Sequence, residues 1–66
     1  MKRYVIEQHT WGSSDGIIAR YDNIIDALKH MQDVIDEENH HKLYAVEGFN
    51  YTEINNWIDL ASDILI

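Results

Sequence analysis

The stretch WGSSDG, residues 11–16, decides the fold because it separates two short runs that are rich in tyrosine and β-branched residues. Residues 2–10 and 17–21 both have the composition of β-strands. The Asp15-Gly16 pair is a dipeptide that favours a tight turn between antiparallel strands. The sequence therefore predicts a β-hairpin over residues 2–21, with the turn at 11–16.

An amphipathic helix is predicted immediately after the hairpin. Its apolar stripe follows helical spacing and comprises Ile24, Leu28, Met31, Val34 and Ile35. Its opposite, polar face carries Asp26, Lys29, His30, Asp33, Asp36 and Glu37. Asp22 and Asn23 are good N-caps, and Asn39 tolerates the left-handed conformation of a helix stop. These features predict a helix over residues 23–38.

The rest of the chain predicts a third strand and a tail with two interpretations. Residues 43–49, LYAVEGF, have strand composition. A C-terminal helix capped by Thr52 would align the apolar residues Ile54, Trp57, Ile58, Ala61 and Leu65. A strand would instead align Ile58, Leu60, Ile64 and Ile66. The helical pattern is the longer one, so we expect a helix and keep the strand as the alternative.

The predicted fold class is α+β: an N-terminal β-hairpin, an amphipathic helix, a third strand and a C-terminal helix, in the order ββαβα. We expect one compact acidic domain over residues 1–66. A chain of this length buries only roughly 60% of the surface that it exposes when unfolded, and it has no cysteine for a disulfide. The apolar ending Ile64, Leu65 and Ile66 therefore predicts self-association, such as a homodimer.

The net charge of −7 is concentrated after the hairpin. Residues 22–66 carry ten acids against Lys29 and Lys42, and no basic residue follows Lys42. Such a chain is repelled by nucleic acid and by anionic membranes, and it is attracted to basic protein surfaces. No apolar run approaches the ~20 residues that span a bilayer, and the basic start lacks the apolar core of a signal peptide. We therefore expect a cytoplasmic protein.

The sequence contains no catalytic signature, so an enzyme is not predicted. Ser13 and Ser14 are typical turn residues rather than nucleophiles. His40 and His41 follow the acids without a metal-ligand pattern, and are expected to place donors near the last helix carbonyls. The sequence therefore predicts no metal site and no cofactor.

The acids themselves are the candidate site. Residues 33–41, DVIDEENHH, place four acids where the predicted helix ends, although the negative end of a helix dipole disfavours them. Carboxylates spaced by one helical turn resemble a row of phosphates, and both groups offer two oxygens to arginine. The simpler alternative is a solvated surface that keeps the protein soluble. The candidate partner-binding residues are Asp26, Asp33, Asp36, Glu37, Glu38, Glu53, Asp59 and Asp63.

In size, acidity, lack of cysteine and α/β pattern, the whole chain resembles the small host-takeover proteins that lytic phages make early in infection. Several of these are DNA mimics that occupy the DNA-binding surface of a host protein, including the histone-like nucleoid protein HU. The resemblance implies an inhibitor that acts in the cytoplasm of an infected bacterium. Its partner would be a basic DNA-binding protein, with HU as the first candidate, and it would bind neither nucleic acid nor membrane. The alternative is an adaptor that inhibits or redirects a host enzyme such as RNA polymerase through an aromatic patch of Trp11, Phe49 and Trp57.

Overall fold

A computed structural model describes residues 2–35 and 40–65 of the chain. The described elements are β1 (Arg3–Thr10), β2 (Ser13–Tyr21), α1 (Ile24–Asp33), β3 (His40–Glu47), β4 (Asn50–Glu53) and α2 (Trp57–Ile64). The strands form one antiparallel sheet in the order β2-β1-β3-β4. The predicted α+β class is confirmed.

The N-terminal hairpin is confirmed, but its turn is shorter than predicted. Thr10 pairs with Ser13, so the loop contains only Trp11 and Gly12, whose φ angles are 55° and 81°. Positive φ at both central residues is characteristic of a type I′ turn. The Asp15-Gly16 pair lies inside β2, where the register with β1 shifts and Gly16 has a φ of 96°. This dipeptide therefore takes part in an irregularity of β2 and does not form the turn.

Helix α1 begins as predicted and ends early. The Oδ1 atom of Asn23 accepts a hydrogen bond from the backbone N–H of Asp26 at 2.9 Å, which caps the first turn. The helix ends at Asp33, and the Val34 N–H donates to the carbonyl of His30 at 3.2 Å. The predicted end at residue 38 is therefore wrong. The prediction ran too far because the apolar stripe continues through Val34 and Ile35, which follow the end of the helix. Residues 36–39 lie outside the described part of the chain.

The second half of the chain contains a strand that the sequence did not predict. β4 pairs with β3 from Tyr44↔Glu53 to Glu47↔Asn50, which leaves a two-residue loop at 48–49. Thr52 therefore lies in a strand and is not a helix cap. Asn56 precedes α2 instead, and no hydrogen bond from its side chain caps the helix. The C-terminal helix is confirmed, and the strand alternative for the tail is wrong.

The core lies between the helices and one face of the sheet. The large side chains Ile6, Leu28, Met31 and Leu43 are completely buried, together with Ala27 and Ala61. Burying each such large side chain stabilises the fold by about 1.5–3 kcal/mol. Val5 is also buried, at 4% exposure, but it alternates with Ile6 and points to the other face of β1. Within the described residues no helix covers that second face, which is called the open face below.

Candidate protein-binding surfaces

Two of the predicted site residues, Asp26 and Asp59, lie in the first turns of their helices. An acid at this position interacts favourably with the positive end of the helix dipole, by about 0.3–1 kcal/mol. The Oδ2 atom of Asp26 also accepts a hydrogen bond from Nδ2 of Asn23 at 2.8 Å. The fold therefore accounts for both carboxylates, whether or not they contact a partner.

Two others, Asp33 and Asp63, lie at the opposite ends of the same helices, where the dipole disfavours an acid. Both side chains are exposed. The last turn of α2 has no basic residue. The last turn of α1 has His30, but its Nδ1 atom is 2.6 Å from the hydroxyl oxygen of Tyr21. The helices therefore give no structural reason for these two carboxylates.

The acids of α1 surround a shallow, open depression. It is lined by Tyr21, Asp26, Lys29, His30, Asp33 and Val34. Lys29 is three residues after Asp26 and four before Asp33, so it lies between the two carboxylates on the helix surface. In the described part of the chain Lys29 makes no ion pair within 4.0 Å. Of the acids predicted to form a line along α1, Asp26 and Asp33 lie on the described helix with Lys29 between them, whereas Glu37 lies outside the described residues.

The open face of the sheet has a different charge. Residues that pair across strands share a face, and the register places Arg3, Arg20 and Lys42 on the side of Val5, together with Glu7 and Glu53. Three cations and two carboxylates sum to +1. The two helices carry four carboxylates and Lys29, which sum to −3. The helical side and the open face therefore differ in sign.

Tyrosine side chains lie on the open face beside these charges. The rings of Tyr44 and Tyr51 meet edge to face with their centroids 6.4 Å apart. Burial raises the pKa of Tyr44 above its usual value of 10.0, and the nearby carboxylates of Glu7 and Glu53 raise it further. Glu53 follows Thr52, so the predicted cap at Thr52 would have placed it in the first turn of the C-terminal helix, with Asp59 and Asp63 further along. It lies on the sheet instead, because β4 occupies the predicted start of that helix.

Three further predicted site residues, Asp36, Glu37 and Glu38, lie outside the described residues. His40 and His41 belong to β3, so their expected role at the end of the helix is wrong. No group of three or more His, Cys, Asp or Glu side chains in residues 2–35 and 40–65 is arranged to hold a metal ion. No helix in those ranges is long and apolar enough to cross a membrane.

The three aromatic residues of the predicted patch do not share one surface. Trp11 lies at the tip of the β1–β2 hairpin and Phe49 at the tip of the β3–β4 hairpin, and both are fully exposed. Because β1 and β3 are antiparallel, with Arg3 opposite Val46 and His9 opposite His40, these tips are at opposite ends of the sheet. Trp57 packs against the core. The three residues therefore do not form one aromatic patch, and Trp11 is separated from the other two.

The sequence predicted a turn at 11–16 that includes Trp11, but it did not reveal that Trp11 and Gly12 alone form the loop. The only available signal was a tryptophan directly before a glycine between two strands, which was hidden by the stronger turn signal of Asp15-Gly16. Comparison of the chain with protein-family models, curated proteins and solved structures gives no match. Its function must therefore be inferred from the helical side, the open face and the Trp11 tip.

Proposed function

We propose that this chain is a DNA-mimic protein that binds the DNA-binding surface of a basic host protein and blocks its binding to DNA. The histone-like nucleoid protein HU is the best candidate partner. The observation that supports this most is the pair Asp33 and Asp63, two exposed carboxylates held at helix ends where the dipole disfavours them. A cationic partner would stabilise both.

The proposed contacts are charge-assisted hydrogen bonds between these carboxylates and arginine or lysine side chains of the partner. Asp33 and Asp63 lie at the C-terminal ends of α1 and α2, where a bound arginine or lysine would also interact favourably with the negative end of each helix dipole. A carboxylate bound by two N–H groups of a guanidinium occupies the position of a phosphate, and it repels a phosphate that approaches the same side chain. Inhibition would therefore be competitive with DNA.

The charge distribution supports one orientation of the complex. The helices sum to −3 and the open face to +1, so the field of the protein turns its helical side toward a basic surface. Charges at an exposed interface are screened over roughly 10 Å at 0.1 M ionic strength. Binding should therefore weaken steeply as salt is added.

The test compares two double variants that remove the same charge. Asp33→Asn with Asp63→Asn removes the carboxylates that the helices do not explain, and Asp26→Asn with Asp59→Asn removes those that stabilise the helix starts. Both are assayed for displacement of a labelled duplex from purified HU. We expect the first pair to weaken displacement more than about tenfold, since a charged hydrogen bond contributes about 1.5–3 kcal/mol. The second double variant should weaken displacement less, because it loses only long-range electrostatic attraction. It should also lower the melting temperature, because it removes the acids that stabilise the helix starts.

Two results would contradict the proposal. If both double variants lose displacement equally, net charge alone explains the displacement, and the helical side does not dock on the partner. Failure of the unaltered protein to displace DNA from HU at low salt would remove HU as the partner.

The adaptor function remains the second candidate because Trp11 is exposed. A host enzyme bound through an aromatic contact would be retained at high salt, and the change of Asp33 and Asp63 would not affect it. Of the three aromatic residues considered, only Trp11 combines full exposure with an unfavourable backbone conformation. Phe49 is fully exposed but does not have a positive φ, and Trp57 has neither feature.

Self-association is proposed separately. Both helices present isoleucine to solvent: Ile25 on α1 is 44% exposed and Ile58 on α2 is 55% exposed. A second copy could cover them. We expect sedimentation equilibrium to give a mass above that of one chain at high concentration, and Ile58→Lys to return it to one chain. A single-chain mass at all concentrations would contradict this.

A further inference from the structure

Trp11 has a backbone conformation that tryptophan rarely adopts. Its φ of 55° is the only positive φ among the described residues other than glycine. A bulky side chain at positive φ lowers the population of that conformation by about five- to thirtyfold, because Cβ crowds the following carbonyl. Strain of this kind persists only where the surrounding structure holds it, and it is concentrated at functional sites.

The second hairpin shows that the strain is not a requirement of the fold. Its loop also has two residues, Gly48 and Phe49, and also carries a fully exposed aromatic side chain. There the glycine comes first and has the positive φ of 63°, while Phe49 does not have a positive φ. A two-residue loop with an aromatic residue can therefore be made without straining the aromatic residue.

The tip is organised without any contribution from the indole. Gln8 Nε2 and the hydroxyl of Thr10 both donate hydrogen bonds to Oδ2 of Asp15, at 3.2 Å and 2.5 Å. The backbone N–H of Gly16 donates to the hydroxyl oxygen of Ser14 at 3.1 Å. The Trp11 side chain is 98% exposed and so contributes almost no burial. The strain and the exposure of Trp11 are two separate unfavourable features that the fold leaves uncompensated.

We infer that Trp11 is an anchor residue, inserted into an apolar pocket on the basic partner protein, with Asp15 facing a lysine or arginine at the rim of that pocket. This inference rests on the proposed function, and it adds a second contact region to the helical side. Tryptophan is enriched among the few residues that dominate binding energy at protein interfaces. A two-residue turn also restrains the backbone of Trp11 before binding, so less backbone entropy is lost on association.

Charge on the tip identifies the class of partner. Hydrogen bonds from Thr10 and Gln8 lower the pKa of Asp15, so this carboxylate is ionised at neutral pH beside the loop. A carboxylate at the tip of a chain of net charge −7 disfavours insertion into an anionic bilayer or stacking on a nucleic acid base. A protein pocket with a cationic rim satisfies both the indole and the carboxylate.

The test uses Trp11→Asn, with Phe49→Asn as the matched control at the other tip. Asparagine followed by glycine is the preferred pair for a type I′ turn, so Trp11→Asn should raise the melting temperature by about a few degrees. The same variant should bind purified HU at least about 30-fold more weakly. Phe49→Asn should change neither quantity appreciably.

A direct readout comes from fluorescence. In a Trp57→Phe variant Trp11 is the sole tryptophan, and its emission should shift to shorter wavelength and become protected from acrylamide when HU is added. Vesicles of anionic phospholipid should leave the emission unchanged. If the emission shifts with the vesicles and not with HU, Trp11 binds a lipid surface rather than a protein pocket, and the inference is overturned.

Other outcomes separate this inference from the proposed function. If HU binds but the Trp11 emission and the affinity of Trp11→Asn do not change, the anchor is wrong and the helical docking stands. If Trp11→Asn lowers the melting temperature, Trp11 serves the fold and the anchor is again wrong. If HU does not bind at all, immobilised unaltered and Trp11→Asn proteins are compared in bacterial lysate. The anchor is supported if a basic protein retained only by the former, once purified, shifts the Trp11 emission to shorter wavelength. Absence of that shift, or identical retained proteins, overturns it.

Discussion

The two hairpins of this protein are built on the same plan and differ in where the glycine stands. Each has a two-residue loop with a fully exposed aromatic residue, but the first has the order Trp11-Gly12 and the second Gly48-Phe49. In the first the tryptophan takes a positive φ, and in the second only the glycine does. The comparison teaches that the order of the two residues in the loop decides whether the aromatic residue is strained.

The hairpins also differ in how much of the core they supply. Ile6 of β1 is completely buried beneath the helices, and the Tyr4, Ala19 and Tyr21 side chains of the first hairpin pack around the core. In the second hairpin Leu43 of β3 is buried, but all four residues of β4 are exposed. The first hairpin and β3 therefore carry the fold, and β4 extends the sheet with little burial.

The largest expected effect compares burial in the two hairpins. Ile6→Ala should destabilise the fold by about 2–5 kcal/mol, which approaches everything that a core of this size supplies. Tyr51→Ala in β4 should cost about 0.5–1.5 kcal/mol, mainly through the lost contact with Tyr44. Urea unfolding followed by circular dichroism measures both. Equal losses would show that β4 matters as much as β1.

The next effect examines the turn of the second hairpin. Gly48→Ala should cost about 1–2 kcal/mol, because alanine at positive φ is strained, while no atom within 4 Å of the new methyl group adds a clash. Phe49→Ala should lie within about 0.5 kcal/mol of the unaltered protein. Thermal melting of the two variants checks this. A larger cost for Phe49→Ala would mean that the aromatic residue, and not the glycine, supports this turn.

A smaller effect is expected for the first hairpin in acid. Hydrogen bonds from Thr10 and Gln8 lower the pKa of Asp15 below 3.8. The stability that they provide is therefore present above that value, and it is lost as the pH falls through the lower pKa of the folded protein. Melting temperatures recorded from about pH 6 to about pH 2 should fall less for Asp15→Asn than for the unaltered protein. Parallel curves would show that Asp15 makes no such contribution.

The second hairpin should show the opposite, alkaline dependence. Burial, together with Glu7 and Glu53, raises the pKa of Tyr44 above 10.0. The corresponding stability is complete below pH 10.0, and it is lost as the pH rises through the higher pKa of the folded protein. Tyr44→Phe should remove this alkaline loss. Ultraviolet titration of the tyrosines, combined with melting, provides the measurement.

The predictable parts of the fold were those with strong local patterns. Asn23 and the apolar stripe from Ile24 to Met31 place the start and the buried face of α1. The stripe continues to Ile35, so it could not reveal that the helix closes at Asp33. β4 was missed because its sequence, NYTE, is exposed throughout and shows no alternation of apolar and polar residues.

The candidate site was predictable only in part, for the same reason. The apolar pattern located the two helices, which carry Asp26, Asp33, Asp59 and Asp63. Glu53 belongs to the strand that the sequence did not predict, so it lies on the sheet. The sign change between the helical side and the open face depends on strand register, which a sequence does not display. Trp11 is strained because the Trp11-Gly12 pair, and not Asp15-Gly16, forms the turn. The pairing of β1 with β2 decides between the two, and the local sequence does not show it.

The strand order β2-β1-β3-β4 also determines how the protein opens. The central strands β1 and β3 have neighbours on both sides, and their mutual register runs from Arg3↔Val46 to His9↔His40 without a shift. Amide hydrogens of this central pair should therefore exchange with solvent deuterium last, whereas those of β4 should exchange early through local fraying. Transient opening of the sheet would thus begin at an edge while the Ile6 and Leu43 contact stays closed, so proteolytic cleavage should also start at β4.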